Sequence, residues 1–504
     1  MRVPLLAGSR LTVVEAPPDA LVLRAPPPEE PLADVGAAVR EALRFPLAGP
    51  SIEQLAVPGG RATIVVELPA SPIPSAVRDP RQAALSATVA ELERVGFPLG
   101  RQTIVVAGGL ARKAGPRELE ALVPHDLARR FAGKVEVHDA ADPDLVDLGT
   151  AGRVPLRVNR SLVETDVVVT VTAAETVVHG GPAALVSAAG SEALRASGCY
   201  SLLETAASLG WRVGVELERA LLRQVPAIGV SLALNPPVVR GAFQGYPHDN
   251  RALERIAASP VRLAFRVAPA VIRSRMLGSI PRELTATAVL GGTPSVAHVE
   301  ALLRGVEARA VRLDEPLDVV VIGIPSTTPH LPRERPNPVL AAYLGLGHAL
   351  RLWRDGFPVK HGGTAILVSP FERQFPHPSQ SPYRTFFNAL RALGSRAAAE
   401  PQELAAAEAA AAGDVRAIAE YRSGRACHPL LPFVDWAACL PAVERLGAVF
   451  VAGSRDALAA RQFGFVPTRN LPTALAMAEA RRSGKQRIGF LVAPPYFPIR
   501  TGKG

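Results

Sequence analysis

A Val-rich run from Asp166 to Thr172, followed by a pair of glycines, constrains the fold of this chain most strongly. A continuous run of β-branched residues is typical of a strand that is buried on both faces, as in a parallel sheet. The pair Gly180-Gly181 allows the backbone to turn tightly into a helix of small residues. The stretch therefore predicts a strand–turn–helix unit, and α/β proteins bind ligands at such junctions.

Strand and helix patterns alternate from about residue 60 to Asn235, and again after Pro316. This alternation predicts parallel sheets flanked by helices. A chain of 504 residues is too long for one core. We expect an α/β protein with two α/β domains, residues 1–310 and 311–504, whose mainly parallel sheets flank an interdomain cleft. Residues 236–283 lack a clear period, and we expect them to form an insertion in the first domain.

Two helices are predicted in the second half of the chain. The first runs from Pro338 to about Asp355, after a loop that contains His330 and several prolines. The second covers the Ala-rich stretch from Glu400 to Arg422, which is helical by propensity.

Composition argues against several classes of partner. The net charge is +10, but five of the 56 basic residues are lysine, and aromatic residues are not interleaved with basic ones. Nucleic-acid binding is therefore not expected. No window holds about 18 uninterrupted apolar residues, and the N-terminal stretch carries Arg10, Glu15 and Asp19. We therefore do not expect a membrane protein. Because the three cysteines fit no disulfide framework, we expect reduced thiols and a cytoplasmic protein.

A glycine pair also follows the predicted strand from Thr103 to Ala107. Gly108 and Gly109 precede Arg112 and Lys113, and this arrangement predicts a site where backbone N–H groups and two cations hold an anion. A tight structural turn is the alternative, because glycine is the usual residue in such turns.

Several stretches resemble a known family. The first half contains EALRFPLAGPSIEQLAVPGGRATIVVE, TIVVAGGLARKAGPRELEALV and VEVHDAADPDLVDLGTAGRVPLRVNRSLVETDVVVTV, and the second half contains VLGGTPSVAHVEALLRG, LDVVVIG and VKHGGTAILVSP. Over nearly its whole length, the chain resembles the nickel-dependent lactate racemases. The resemblance implies an N-terminal domain that carries a nickel pincer nucleotide and a C-terminal domain that closes over the substrate. It also implies isomerisation of a 2-hydroxy acid by hydride transfer.

The chain departs from the family at the residues that this chemistry needs. The resemblance places the family's arginine, its two catalytic histidines, the lysine that anchors the pincer and the histidine that binds nickel at Ser71, Ala111, Ala173, Ala183 and Cys199. Arg112 keeps the basic residue of the glycine loop. Arginine cannot replace the lysine, because its guanidinium stays protonated and is not a nucleophile. The sequence therefore does not determine which cofactor the protein binds.

Three hypotheses follow. The first is a divergent isomerase of a 2-hydroxy acid or related small anion, in which His179 and Cys199 bind a metal. Alternatively, His179 is a loop residue and Cys199 a small buried residue. The second is a non-catalytic relative that binds a small anion or a nucleotide through Gly108, Gly109, Arg112 and Lys113. Gly180 and Gly181 are further candidates for cofactor binding. The third is thiol or hydrolytic chemistry at Cys427-His428, although no G-x-S-x-G pattern is present.

Overall fold

Two six-stranded sheets organise the part of the chain that the structure describes. The computed structural model describes residues 2–69, 79–260, 265, 267–325, 337–394, 398, 400–481 and 484–502. In chain order, the strands are β1 (Arg2–Ala7), β2 (Arg10–Glu15), β3 (Leu21–Leu23), β4 (Ala62–Glu67), β5 (Gln102–Ala107), β6 (Lys134–Val137), β7 (Val146–Ala151), β8 (Val154–Val158), β9 (Val167–Ala173), β10 (Ala227–Leu234), β11 (Val238–Val239), β12 (Arg282–Glu283), β13 (Ala286–Gly292), β14 (Val311–Leu313), β15 (Leu317–Gly323), β16 (Trp353–Arg354), β17 (Val359–Val368), β18 (Ala448–Ala452), β19 (Val466–Thr468), β20 (Ile488–Leu491) and β21 (Ile499–Thr501).

Helices connect most of these strands. The α-helices are α1 (Val35–Arg44), α2 (Pro80–Arg94), α3 (Pro116–Leu122), α4 (His125–Arg130), α5 (Pro182–Ser187), α6 (Ser191–Arg195), α7 (Leu209–Leu222), α8 (Asn250–Ala258), α9 (Ala270–Gly278), α10 (Pro294–Arg309), α11 (Pro338–Ala342), α12 (Ser381–Leu393), α13 (Pro401–Ala412), α14 (Val415–Arg422), α15 (Leu431–Arg445), α16 (Ala457–Gln462) and α17 (Leu471–Ala480). Among the described residues, no helix is both long enough and apolar enough to span a bilayer.

β9 lies in the middle of the first sheet, whose strand order is β13-β10-β9-β4-β5-β6. Every residue of β9 is buried. Val169 pairs with Ile64 of β4 and Ile228 of β10, and these three side chains belong to one hydrophobic core, whereas Val168 belongs to another. Because both faces are buried, the strand needs no polar residues on alternate positions. The strand predicted from the Val-rich run is confirmed, and so is the helix α5 after the glycine pair.

The second sheet has the order β19-β18-β17-β15-β20-β3, and all of its neighbouring strands are parallel. The first sheet is also parallel except where β13 pairs with β10. The predicted α/β class with mainly parallel sheets is therefore confirmed. β3 comes from the N-terminal end of the chain, and its Val22 pairs with Phe490. The domain boundary near residue 310 stays a prediction.

The stretch from Glu400 to Arg422 is helical, as predicted, but it forms two helices with a break between them. α13 ends before Gly413, and Asp414 begins α14. The Asp414 carboxylate accepts hydrogen bonds from the backbone N–H groups of Arg416 and Ala417, at 3.0 Å each. Asp is a preferred residue at the start of a helix, and this local signal outweighs the helix propensity of the surrounding alanines.

The predicted helix from Pro338 to Asp355 is also corrected. α11 ends at Ala342. The chain continues as a π-helix from Tyr343 to His348 and then as a 3₁₀ turn from Ala349 to Arg351. Gly345 lies in the π-helix, and a Cβ atom there would come within 2.6 Å of a methyl carbon of Leu367. The glycine therefore allows the π-helix to pack closely against the second sheet.

The segment 236–283 lies between β10 and β13 of the first sheet in the sequence, and it contacts residues of the second sheet. It contains the short antiparallel pair β11–β12 and the helices α8 and α9. The Tyr246 hydroxyl donates a hydrogen bond to the carbonyl of Ala493, at 2.5 Å, just after β20. Nδ1 of His248 lies 3.0 Å from the carbonyl oxygen of Ala25, just after β3. The segment is thus held against the carboxyl end of the second sheet.

Candidate functional site

The carboxyl ends of β9 and β10 border a pocket between the two sheets. Glu175, which follows β9, and Asn235, which follows β10, line one side of it. Residues of the segment 494–498, which follows β20 of the second sheet, and His248 line the other parts. The pocket encloses about 550 Å³, counting the part that is open to solvent. Carboxyl ends of parallel strands and clefts between layers are the usual places for small ligands in α/β proteins.

Glu175 brings a buried negative charge to this pocket. Its Oε2 atom lies 3.4 Å from Nη1 of Arg81, and Arg81 also pairs with Asp79 at 2.8 Å. Burial alone would lower the pKa of Arg81, but Asp79 and Glu175 raise it, so this guanidinium stays charged. Because Arg81 is shared between two carboxylates, it compensates the negative charge of Glu175 only in part.

Arg309 brings a positive charge to the same pocket. It is the last residue of α10, and its Nε donates to the carbonyl of Gly305 at 2.9 Å. Its Nη2 donates to the carbonyl of Ala174 at 3.2 Å. Burial lowers the pKa of Arg309 and Glu175 raises it, but a guanidinium remains protonated in proteins. Within the described residues, its hydrogen bonds go to neutral carbonyl groups, which leaves N–H donors for an anion.

Two further polar side chains line the pocket. His248 is fixed by its Nδ1 contact with Ala25. Tyr496 is 8% exposed, and its ring makes an edge contact with His348 at 5.3 Å between centroids. Burial raises the pKa of Tyr496, so its hydroxyl stays protonated. The pocket therefore combines a cation with an imidazole and a phenol hydroxyl, which can donate or accept hydrogen bonds.

Glu67 is the last residue of β4, and its carboxylate contacts both ends of the segment from Gly180 to Ser187. Its Oε2 accepts from the backbone N–H of Gly180 at 2.6 Å, and its Oε1 accepts from the Ser187 hydroxyl at 2.7 Å. Burial raises the pKa of Glu67 to about 7, although both hydrogen bonds lower it. This carboxyl group changes its charge near neutral pH.

The predicted anion site at Gly108 and Gly109 has protein partners for both cations. Arg112 pairs with Glu118 at 3.1 Å, and Lys113 pairs with Asp139 at 2.8 Å. The loop itself is covered by the second half of the chain. The Tyr421 hydroxyl donates to the carbonyl of Gly109 at 3.0 Å, and the backbone N–H of His428 donates to the carbonyl of Leu110 at 2.9 Å. An anion would have to compete with these carboxylates and displace these contacts.

The glycine pair Gly180-Gly181 allows α10 to pack closely against the loop. A Cβ atom on Gly181 would lie 2.3 Å from the Cβ of His298, and one on Gly180 would lie 2.5 Å from its Cε1. His298 is fully buried, and its Nε2 lies 2.9 Å from the carbonyl oxygen of Thr176. Burial lowers the pKa of His298 to about 4. The space beside the two glycines is thus filled by a neutral histidine.

Cys199 and His179, the predicted metal ligands, both contact other side chains. Nη2 of Arg351 lies 2.6 Å from the Sγ atom of Cys199, and Nδ1 of His179 lies 3.0 Å from the Thr176 hydroxyl. Burial raises the pKa of the Cys199 thiol, and the thiolate is the form that binds metals. In the described ranges, no group of three or more His, Cys, Asp or Glu side chains is arranged to hold a metal ion.

Cys427 and His428 are both buried beside the glycine loop. Nδ1 of His428 accepts from the backbone N–H of Leu430 at 3.2 Å, and its ring makes an edge contact with Tyr421. Burial lowers the pKa of His428 to about 4. This histidine serves as a hydrogen-bond acceptor for the start of α15.

No sequence pattern identified the set of residues that line the pocket. Glu175 lies three residues after the predicted strand Asp166 to Thr172, near the carboxyl end where ligands bind in α/β proteins. Arg309, His248 and Tyr496 lie in a helix end and two loops far apart in the chain. No local pattern connects these three positions.

Comparison with known proteins agrees with this architecture. Residues 8–184 match the family of the lactate racemase N-terminal domain. The whole fold is similar to the lactate racemase apoprotein from Thermoanaerobacterium thermosaccharolyticum, with 15% identity, a TM-score of 0.61, and coverage of 99% of this chain and 100% of that one. The sequence match to this family is confined to residues 8–184, and the likeness over the rest of the chain is one of fold. A protein of known structure from Thermotoga maritima has 13% identity and a TM-score of 0.49, over 94% of this chain and 100% of that one. No curated protein matches the chain.

The residues present do not fit the nickel pincer nucleotide that the resemblance to the lactate racemases suggests. Ala183, at the position of the anchoring lysine, is 4% exposed and offers no nucleophile. The Arg351 guanidinium beside Cys199 would repel a nickel ion. Ser71, at the position of the family's arginine, lies outside the described residues. We therefore assign no chemical step to the pincer.

Proposed function

We propose that the protein is a racemase-like isomerase that acts on a 2-hydroxy acid or a related small anion in the pocket beside Arg309. The observation that carries this proposal is a half-buried guanidinium that lines a pocket at the carboxyl ends of β9 and β10 and donates to neutral carbonyl groups. The similarity of residues 8–184 to the lactate racemase N-terminal domain supports the racemase-like reaction.

The position of Arg309 suits a carboxylate. The guanidinium presents several N–H donors in one plane, and carboxylates bind such donors in pairs. The attraction is stronger in a pocket that holds little water than on the surface. Glu175 also lines the pocket, but Arg81 lies 3.4 Å from it. A ligand carboxylate can therefore pair with Arg309.

A stereocentre next to this carboxylate would lie between the two sheets. Isomerisation requires that a group leaves one face of the carbon and returns to the other. Side chains from both sheets surround the pocket, so they can approach a small ligand from different directions.

A non-catalytic relative that binds a small anion or a nucleotide is the second candidate. The alanines at positions 111, 173 and 183 favour it, because they carry no acid, base or nucleophile. We also propose a cytoplasmic location, which the three free cysteines support. The absence of nucleic-acid partners stays a prediction.

Chiral analysis of lactate separates the two candidates. Purified protein is treated with a chelator, incubated with pure L-lactate or pure D-lactate, and the product is resolved on a chiral column. Conversion of either enantiomer, abolished by Arg309→Gln, is expected for the isomerase. Binding of lactate without conversion, with nickel added or omitted, would support the non-catalytic relative instead.

A further inference from the structure

Two buried polar atoms in the pocket have no hydrogen-bond partner among the described residues. They are Nε2 of His248 and the hydroxyl oxygen of Tyr496. Both side chains line the same pocket as Arg309. Leaving a buried polar atom without a partner destabilises the fold, so native proteins rarely keep two of them together without a reason.

The contact of His248 with Ala25 determines what its Nε2 atom can do. A backbone carbonyl only accepts hydrogen bonds, so Nδ1 of His248 carries the hydrogen in this 3.0 Å contact. In the neutral ring, the other nitrogen is then an acceptor. His248 thus requires a hydrogen-bond donor from a ligand.

Tyr496 has the complementary requirement. Its hydroxyl carries a hydrogen, and no described acceptor receives it. The ring is held by hydrophobic contacts and by the edge contact with His348, so the hydroxyl has a fixed position. Tyr496 can therefore donate to an oxygen atom of a ligand.

We propose that His248 and Tyr496 form a pair that recognises the hydroxyl group of the ligand whose carboxylate binds Arg309. A hydroxyl donates its hydrogen to Nε2 of His248 and accepts the hydrogen of Tyr496 with its oxygen. This pair sets specificity for hydroxy acids over acids without the hydroxyl. The inference rests on the proposed carboxylate site at Arg309.

The difference in affinity between hydroxy acids and acids without the hydroxyl should be large, because the free-energy cost of the unpaired atoms falls on the acid without the hydroxyl. An acid without the hydroxyl leaves both buried atoms unpaired, whereas a 2-hydroxy acid satisfies both. Sites that are built to bind a hydroxyl reject the analogue that lacks it by large factors, up to about 10⁴-fold. We expect lactate to bind at least about tenfold more tightly than propionate, which has the same carbon chain.

Calorimetric titration with L-lactate, D-lactate and propionate tests the pair. Tyr496→Phe keeps the ring and removes the hydroxyl, and His248→Asn keeps a donor for Ala25 and removes the Nε2 acceptor. Each variant is expected to reduce the ratio of lactate affinity to propionate affinity at least about threefold, because one of the two buried atoms no longer discriminates, while propionate still binds. Tyr246→Phe is the matched control, because the Tyr246 hydroxyl is already bonded to Ala493. It should leave the ratio of affinities unchanged.

The thermal stability of the free protein gives a second readout. Tyr496→Phe removes an unpaired buried hydroxyl, so its melting temperature should equal or exceed that of the wild type. Tyr246→Phe should lower it. Equal affinities of wild-type protein for lactate and propionate would overturn the pair and leave the carboxylate site standing. If neither acid binds, the carboxylate site and the pair both fail.

Discussion

Glu67 should give the stability of this protein a pH dependence that one substitution removes. Burial raises its pKa to about 7 in the folded protein, whereas a glutamate in an unfolded chain has a pKa of about 4.3. The folded state therefore holds the proton more tightly. The resulting contribution to stability is fully present below pH about 4 and is lost as the pH rises through about 7.

The size of the effect follows from the difference between the two pKa values. A difference of about 2.7 pH units corresponds to about 4 kcal/mol of unfolding free energy, of which about 3 kcal/mol falls between about pH 4 and 8. Glu67→Gln abolishes the ionisation and conserves the shape of the side chain. Its amide oxygen can accept from the N–H of Gly180, and its NH₂ group can donate to the Ser187 hydroxyl, which also accepts.

Urea unfolding of wild type and variant at several pH values between about 4 and 8 measures this contribution. Relative to the wild type, Glu67→Gln should gain up to about 3 kcal/mol between the two ends of this range. Other titrating groups, such as His298, affect both proteins and cancel in the difference. Glu300→Gln, an exposed change in the ion pair with Arg304, is the control and should show a flat difference. A flat difference for Glu67→Gln as well would refute the reasoning.

Three further predictions concern the loops around the sheet ends. Gly181→Ala should destabilise by about 3 kcal/mol or more, measured by thermal unfolding, because its Cβ would clash with His298 at a positive φ of 52°. Gly8→Ala, also at positive φ but with open space around it, should cost about 1–2 kcal/mol, and an equal loss at both sites would contradict the clash. The three buried cysteines should not react with a thiol reagent until the protein unfolds, and rapid reaction of one thiol in native protein would contradict this. Glu175→Gln should tighten lactate binding in calorimetry about two- to tenfold by removing a buried negative charge beside the carboxylate, and weaker binding would show that Glu175 assists the ligand.

The fold could be predicted from the sequence wherever one physical signal was dominant. Burial on both faces forces the continuous valine run of β9, and the alternation of elements gives the parallel sheets. The break at Gly413-Asp414 is hard to predict because alanines favour a helix on the N-terminal side of it, whereas the signal for a new helix is the single capping residue Asp414. The π-helix from Tyr343 to His348 depends on close packing against Leu367, which no local pattern reports.

The site was harder to predict because similar patterns serve different purposes. Both glycine pairs predicted ligand loops, but the pair at 180–181 makes room for His298. Arg112 and Lys113 suggested an anion site, and their carboxylate partners Glu118 and Asp139 become visible only when the chain is folded. The pocket residues converge from distant positions, and their chemistry is recognisable only from their proximity and burial.

The most direct test of the account is calorimetric titration of L-lactate and D-lactate into wild-type protein, Arg309→Gln and Arg304→Gln. Arg304 lies on the same helix, is exposed and pairs with Glu300, so it is a matched control. The account predicts binding to wild type and to Arg304→Gln, and a loss of about tenfold to hundredfold in affinity for Arg309→Gln, the value of a hydrogen bond to a charged group. Equal affinity of all three proteins, or no binding to the wild type, would contradict the assignment of the pocket as the ligand site.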